Sequence, residues 1–406
     1  MKQFRLGVIG AGSRGYGWMR VLAHMQNVKI VALCECNEER LYEKAKKLKD
    51  EEGVEIPFLT TDYKKLIAHE DVEVVMVFSA WRNHVDASIE AMLAGKPVAT
   101  EVCGAHSIQQ CWRLVETYEQ TRTPFFFMEN ACYGEIEMTV TKMARDGIFG
   151  EIVHCAGGYC HDLRSDMARL TKDDHYRGIE YLKRNSENYP THEIGPIAKL
   201  LDINNGNRFL SLYSISSKAA GINAYLEDDH PMKNATFAQG DIFTTVLKCA
   251  NGETVTITLD TTLPRYYCRD FTVRGTKGMY EERTNSVYLD EPHRKMEADW
   301  KGNGQWDNMA TTYMEQYRHP LWVEYRKNGT KGGHGGMDGL LIDAFFDALE
   351  NGTPMPIDVY DAATWMAITA LSEQSVSING PVPFPDFTSG LWLQKRPPVD
   401  SVYNLL

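Results

Sequence analysis

The chain opens on an apolar run that stops abruptly at glycine: residues 6–15 read LGVIGAGSRG, and apolar positions then recur at helical spacing. The pattern predicts a strand from near residue 5, a turn at Gly10-x-Gly12-x-x-Gly15, and a helix. A second apolar strand follows at 28–33. The near-continuous β-branched run VEVVMVF at 72–78 suits a strand covered on both faces. A helix over 84–94 ends at Gly95, strands follow at 97–101 and 124–128, and the first 130 residues thus alternate strand and helix as a doubly wound parallel sheet requires. Residues 133–146 have helical spacing, with Ile136, Val140 and Met143 on one face, and stop at Gly147. From there the texture changes. Period-two alternation at 151–159, 210–216, 244–249, 253–260 and 271–275, with turns at Asn251-Gly252 and Lys277-Gly278, predicts an open antiparallel sheet with one exposed face. Residues 299–336 read as long ordered loops, and helices at 337–351 and 358–377 close the chain. The fold class expected is α/β in residues 1–130 and α+β in residues 131–406, with no internal repeats.

The glycines give the first hint of chemistry. Gly10 permits a tight turn, Gly12 lets the backbone approach a pyrophosphate, and Gly15 lets the helix pack close to the strand, with its N-terminal N–H groups facing negative charge. Glu35 ends the second strand about 20 residues on, where an acidic side chain accepts hydrogen bonds from a ribose diol and repels a 2′-phosphate. The expected cofactor is therefore NAD rather than NADP.

Composition narrows the remainder. A chain of 406 residues exceeds what one core usually organises, so two domains are expected. A net charge of −12 argues against a phosphate-tracking groove for nucleic acid and against an anionic membrane surface. No apolar run approaches a bilayer span, and a first strand near residue 5 leaves no room for a signal peptide. The expectation is a cytoplasmic protein, or an exported one whose signal peptide lies outside this sequence. Nine cysteines scattered among apolar neighbours suggest reduced core thiols. Cys34-x-Cys36 has no second pair at zinc spacing, so no metal is expected.

The whole chain resembles the Gfo/Idh/MocA superfamily, which implies an N-terminal Rossmann domain followed by a C-terminal domain on an open antiparallel sheet. Dehydrogenases of that superfamily commonly carry Glu-Lys-Pro where this chain has Glu101-Val102-Cys103. Valine in the lysine position disfavours a simple sugar dehydrogenase. The more specific resemblance is to glycoside hydrolase family 109, through GAGSRG at 10–15, WRNH at 81–84, TEV at 100–102, ENACY at 129–133, YPTH at 189–192, GGHGGMD at 332–338 and DVYDAA at 358–363. The likeness implies that Ser13, Arg14, Glu35, Trp81, His84, Glu101, Val102, Asn130 and Tyr189 line NAD beside the three glycines. It implies that Tyr159, Arg177, Tyr189, Thr191, His192 and Tyr267 face a sugar. Two departures stand out: the family commonly has proline after TEV, where Cys103-Gly104 stands here, and its Trp-Glu-x-His reads Trp81-Arg82-Asn83-His84. The superfamily often pairs through its exposed sheet, so a homo-oligomer is expected.

The residues support part of this independently. Thr191 reads as an N-cap for a helix over 192–201, with Ile197, Leu200 and Leu201 packing inward. His192 then falls in a first helical turn, from which an imidazole can take and return a proton. The alternative is a packing tyrosine and a capping threonine in an ordinary loop. Tyr159 ends a strand, and a phenol with an ordinary pKa near ~10 needs a cation such as Arg177 to act as a base; the alternative is an aromatic on a sheet face. Tyr266 and Tyr267 compete for one role, and His161 is open. His334, in the glycine run 332–336, is expected near substrate, with a structural histidine as the alternative.

The implied reaction is hydrolysis of a glycoside, for instance an N-acetylhexosaminide such as an α-N-acetylgalactosaminide. It proceeds through oxidation at carbon 3, elimination and water addition, with His192, Tyr159 and Tyr189 as catalytic groups. A net sugar or polyol oxidoreductase is the alternative, and a nucleotide-binding protein without turnover a third reading.

Overall fold

The computed structural model describes residues 3–169, 175–293 and 306–405. Two compact units interleave along the chain: residues 1–129, 330–367 and 398–406 form the first, and residues 130–329 and 368–397 the second. A single cut after residue 130 therefore does not separate them.

The first unit is built on six parallel strands, β1 (Phe4–Ile9), β2 (Val28–Cys34), β3 (Phe58–Thr60), β4 (Val74–Val77), β5 (Val98–Thr100) and β6 (Phe125–Phe127), ordered β3-β2-β1-β4-β5-β6. That order places a switch point between β1 and β4, where doubly wound sheets bind dinucleotides. Every residue of β4, β5 and β6 is buried, as expected of strands covered on both faces. The late segment supplies part of the cover. Phe345, on the helix Met337–Asn351, stacks on Phe126 with ring centroids 5.4 Å apart, and Phe346 packs on Phe4 at the same distance. The amide of Phe127 donates to the carbonyl of Ile357. These contacts return residues 330–367 to the N-terminal sheet.

The second unit carries nine strands: β7 (Ile152–Cys160), β8 (Phe209–Ser216), β9 (Ile242–Cys249), β10 (Thr254–Asp260), β11 (Thr272–Gly275), β12 (Gly278–Glu281), β13 (Ser286–Leu289), β14 (Asp307–Asn308) and β15 (Val382–Pro383). Their order is β14-β13-β12-β11-β7-β10-β9-β8-β15. The sheet is mostly antiparallel, as expected, with one exception: β10 runs parallel to β7. The Asn251-Gly252 turn joins β9 to β10, with Gly252 at φ +106°, whereas the next hairpin turns one residue earlier than expected, at 276–277. Residues 306–336 are not simply loops. They hold the helices Met314–Tyr317 and Pro320–Lys327, the second capped by His319, whose Nδ1 accepts from the Leu321 amide. Residues 299–305 of that expected loop lie outside the described residues.

All nine cysteines are free, and all but Cys36 are buried. Among the described residues no helix is long and apolar enough to cross a membrane. Among them, too, no group of three or more His, Cys, Asp or Glu residues stands in position to hold a metal ion.

Candidate active site

In the first unit the three glycines meet three different surroundings. Gly10 has φ +100°, and a Cβ there would lie 2.6 Å from the carbonyl carbon of Phe78. A Cβ on Gly15 would lie 2.2 Å from the Gly10 oxygen, so only glycine lets the helix Ser13–Ala23 start this close to the strand. Gly12 has nothing within 4 Å of its Cβ position. The N-cap of the helix is thus an open cradle, with no acidic side chain in the first turn, and it fits a dinucleotide pyrophosphate. Glu35 is buried beside it. Its Oε2 accepts from the Ala11 amide at 2.9 Å and its Oε1 from the Asn37 amide at 3.1 Å, which fixes the carboxylate at the loop.

The turns after β4 and β5 carry the next group. Trp81 opens a short 3₁₀ turn and is buried, and His84 begins the helix His84–Leu93. The ring nitrogens of His84 lie 2.8 Å from the Ser79 carbonyl oxygen and 3.2 Å from that of Cys103, so the imidazole spans both turns. Burial holds its pKa below the usual imidazole range. Gly104, at φ +115°, is needed for this contact, because a Cβ there would lie 2.6 Å from the His84 Cβ. Cys103 has φ +63°, a conformation closed to proline. The departure from the family's proline is thus built into the backbone.

Glu101 follows β5 and gathers two donors on Oε1: Arg14 Nε at 2.6 Å and Trp18 Nε1 at 2.7 Å. Arg14 also pairs with Asp338, at 2.7 and 3.1 Å, and stacks over Trp18 with Cζ 4.7 Å from the ring centre. Burial opposes the charge on Glu101, but Arg14 and Trp18 more than offset it and hold the carboxyl below its ordinary range. Val102 is buried, with its amide on Glu101 Oε2. His334 lies here as well, its Nδ1 2.9 Å from Asp338 and 3.2 Å from Arg14. The structure therefore groups it with Arg14, inside the glycine turn. Asn130, expected with the cofactor, is the first residue of the second unit, buried in the 3₁₀ turn Asn130–Tyr133.

The second unit brings the sugar candidates into one cluster. Tyr159, near the end of β7, lies 4.2 Å from Tyr189 between ring centroids and 5.6 Å from His192. The Tyr189 hydroxyl stands 3.3 Å from His192 Nε2, and the Tyr159 hydroxyl 3.4 Å from His161 Nδ1. Arg177, on the helix Tyr176–Lys183, places Cζ 4.8 Å from the Tyr189 ring and 5.8 Å from that of Tyr159. Burial works against this guanidinium, yet the surrounding phenols Tyr176, Tyr159 and Tyr189 hold its pKa above the ordinary value. Burial and the Arg177 charge together hold His161 below the usual imidazole range. Tyr267 closes the group by meeting His161 edge-on at 5.2 Å, whereas Tyr266 is more exposed and stacks with Arg265.

Local folding explains this convergence. A Cβ on Gly157 would lie 2.9 Å from the Glu193 Cβ, so β7 presses directly on the helix Thr191–Leu200. Thr191 is not the cap expected. Pro190 takes the N-cap position, and Thr191 is the first helical residue and wholly buried. His192 stays in the first turn, and Ile197, Leu200 and Leu201 are buried as anticipated. Trp18 and Asp338 escaped the sequence reading as site residues. Trp18 sits four residues after Arg14, a helical spacing that signals contact; Asp338 lies inside the quoted GGHGGMD motif.

Known proteins match both parts of the chain. Residues 4–128 match the family model of the NAD-binding Rossmann fold of the oxidoreductase family, and residues 133–394 match the C-terminal domain of glycosyl hydrolase 109. The chain is 37% identical to an α-N-acetylgalactosaminidase of Tannerella forsythia over 97% of its own length and 88% of that protein's. It is 36% identical to a glycosyl hydrolase family 109 protein of Stenotrophomonas maltophilia, covering 98% and 91%. Among solved structures, levoglucosan dehydrogenase in complex with NADH shares the fold with a TM-score of 0.69 at 18% identity, over 95% of this chain and 100% of that one.

Proposed function

Because the chain belongs to glycosyl hydrolase family 109 and carries an NAD-binding Rossmann domain, we propose that it hydrolyses an N-acetylhexosaminide, with an α-N-acetylgalactosaminide as the first substrate to test. Bound NAD would supply the hydride acceptor for carbon 3 of the sugar, while His192, beside Tyr189, takes the proton of the carbon 3 hydroxyl. The ketone so formed acidifies the proton on carbon 2. Tyr159 removes that proton, with the Arg177 charge near its ring and His161 within reach of its hydroxyl. His192, held against Tyr189, protonates the departing oxygen at carbon 1. Water then adds its hydroxyl to carbon 1 of the enone and gives its proton to His192, Tyr159 returns the proton to carbon 2, and His192 protonates the carbon 3 oxygen as the ketone is reduced, which leaves the free sugar.

The observation that carries this reading is the cluster itself. Its proton-transfer groups are phenols and imidazoles around one guanidinium, which suits proton abstraction next to a ketone better than the paired carboxylates of direct displacement. Buried Val102 stands where the dehydrogenases carry lysine, so oxidation at carbon 3 here must pass its hydroxyl proton to another group. Glu35, fixed by two backbone amides, favours a ribose diol over a 2′-phosphate. The test is a panel of chromogenic α- and β-glycosides followed at once for aglycone and for NADH absorbance. Aglycone without net NADH supports hydrolysis; NADH rising in step with substrate loss makes the protein a dehydrogenase.

A further inference from the structure

The run GGHGGMD at 332–338 is tied closely to the glycine turn of the first unit. Asp338, in the first turn of the helix Met337–Asn351, has a side chain only 3% exposed. Its Oδ2 and Oδ1 accept from the two terminal nitrogens of Arg14 at 2.7 and 3.1 Å, a two-point contact between a guanidinium and a carboxylate. Arg14 stands two residues after Gly12 and uses its remaining edge, Nε, on Glu101 at 2.6 Å. One planar group is thus held from two sides.

The glycines explain how residues 332–336 reach this place. Gly332 has φ +78°, and a Cβ there would lie 2.7 Å from the Gly339 nitrogen. A Cβ on Gly333 would lie 2.8 Å from Asp338 Oδ2. Side chains at these positions would press on the backbone or on the carboxylate that Arg14 uses. His334 completes the enclosure from φ +50°, its Nδ1 2.9 Å from the same oxygen. Two carboxylates on one guanidinium leave Arg14 no surplus charge for a pyrophosphate. Its contribution is geometric: it fixes Glu101, which also receives Trp18 Nε1 at 2.7 Å.

We propose that Asp338 is a positioning residue of the dinucleotide site, acting through Arg14 to set the glycine turn and Glu101 for NAD. This inference uses the cofactor alone and stands or falls apart from glycoside hydrolysis.

The experiment measures NAD dissociation constants by calorimetry on the full chain, stripped of bound nucleotide, for the parent protein, Asp338→Asn, Arg14→Met and the double variant. Asp338→Asn should weaken NAD about tenfold in the parent background and less than about twofold once Arg14 is methionine, because coupled residues do not add. An unchanged dissociation constant would overturn the proposal, and so would an equal loss in both backgrounds, which would mean that Asp338 acts without Arg14. Should Asp338→Asn not fold, Gly333→Ala keeps both charges and crowds Oδ2. It should weaken NAD while the melting curve stays cooperative, and NAD affinity equal to the parent's would refute the role.

Discussion

The Tyr189 hydroxyl and His192 Nε2 stand 3.3 Å apart, with the two rings at 89°, one on the approach to a helix and the other in its first turn. The imidazole is thereby held edge-on to the aromatic stack of Tyr159 and Tyr189. His192→Ala should keep the fold and NAD binding and lower glycoside turnover about 10²-fold or more, the usual contribution of an acid–base group. Steady-state rates beside a melting curve decide it; undiminished turnover removes His192 from the chemistry.

Tyr159→Phe keeps the ring that packs on Tyr189 and deletes the hydroxyl facing His161. Melting should barely move, and kcat should fall by about 10²-fold or more, with KM changing much less. A variant that loses affinity and keeps kcat would make Tyr159 a platform for the sugar and not its base.

Proton exchange separates elimination from displacement. Turnover in deuterated water should place deuterium at carbon 2 of the released sugar, read by proton NMR. Displacement at carbon 1 leaves carbon 2 untouched, and a product without deuterium there counts against Tyr159 as a base open to solvent exchange.

Glu35 reads the nucleotide in this account. Protein denatured after purification should release NAD in the supernatant, and Glu35→Ser should narrow the preference for NAD over NADP by about tenfold, through loss of one charged group near the ribose. Stoichiometric NADP from the parent protein would overturn the role of Glu35.

The Arg14–Asp338 pair predicts a response to acid. Burial pushes the Asp338 carboxyl up, but His334 and Arg14 outweigh it and hold the folded-state pKa below the ordinary value near ~3.9. A carboxyl depressed on folding stabilises the fold fully above its unfolded pKa and loses that contribution as pH falls through the folded value. The melting gap between the parent and Asp338→Asn should therefore close as pH falls below ~4. A gap that persists undiminished down to pH ~2 would remove Asp338 from this account.

Much of the first unit was legible because parallel strands covered on both faces write long apolar runs, and 72–78 is such a run. The grouping of Tyr159, Tyr189 and His192 was legible through resemblance and through YPTH, whose histidine falls in the helical turn expected of it. What stayed hidden depends on distance along the chain or on backbone angles. No local signal pairs β7 with β10 in parallel, since neighbours so far apart in sequence are chosen by tertiary packing. Thr191 lost the cap position because Pro190 already holds it, at φ −74° and ψ −12°. The helix Pro320–Lys327 carried its signals, proline at its first position and Asn328-Gly329 at its end, but a glycine- and aromatic-rich neighbourhood obscured them. The contact of His334 with Arg14 spans 320 positions, beyond the reach of any periodicity.

The stacking of Phe345 on Phe126, and of Phe346 on Phe4, has a bearing on how the protein is made. Synthesis runs from the N-terminus, so the six parallel strands leave the ribosome well before the helix Met337–Asn351 that covers them. Until that helix arrives, Phe4 lacks Phe346 and Phe126 lacks Phe345, and the nucleotide-binding unit completes its core only after nearly all of the second unit has been translated. A fragment ending near residue 130 should collect in inclusion bodies, and the same fragment co-expressed with residues 330–406 should recover solubility. Domain-by-domain folding in order of synthesis would leave the first unit without this cover until residues 337–351 are made.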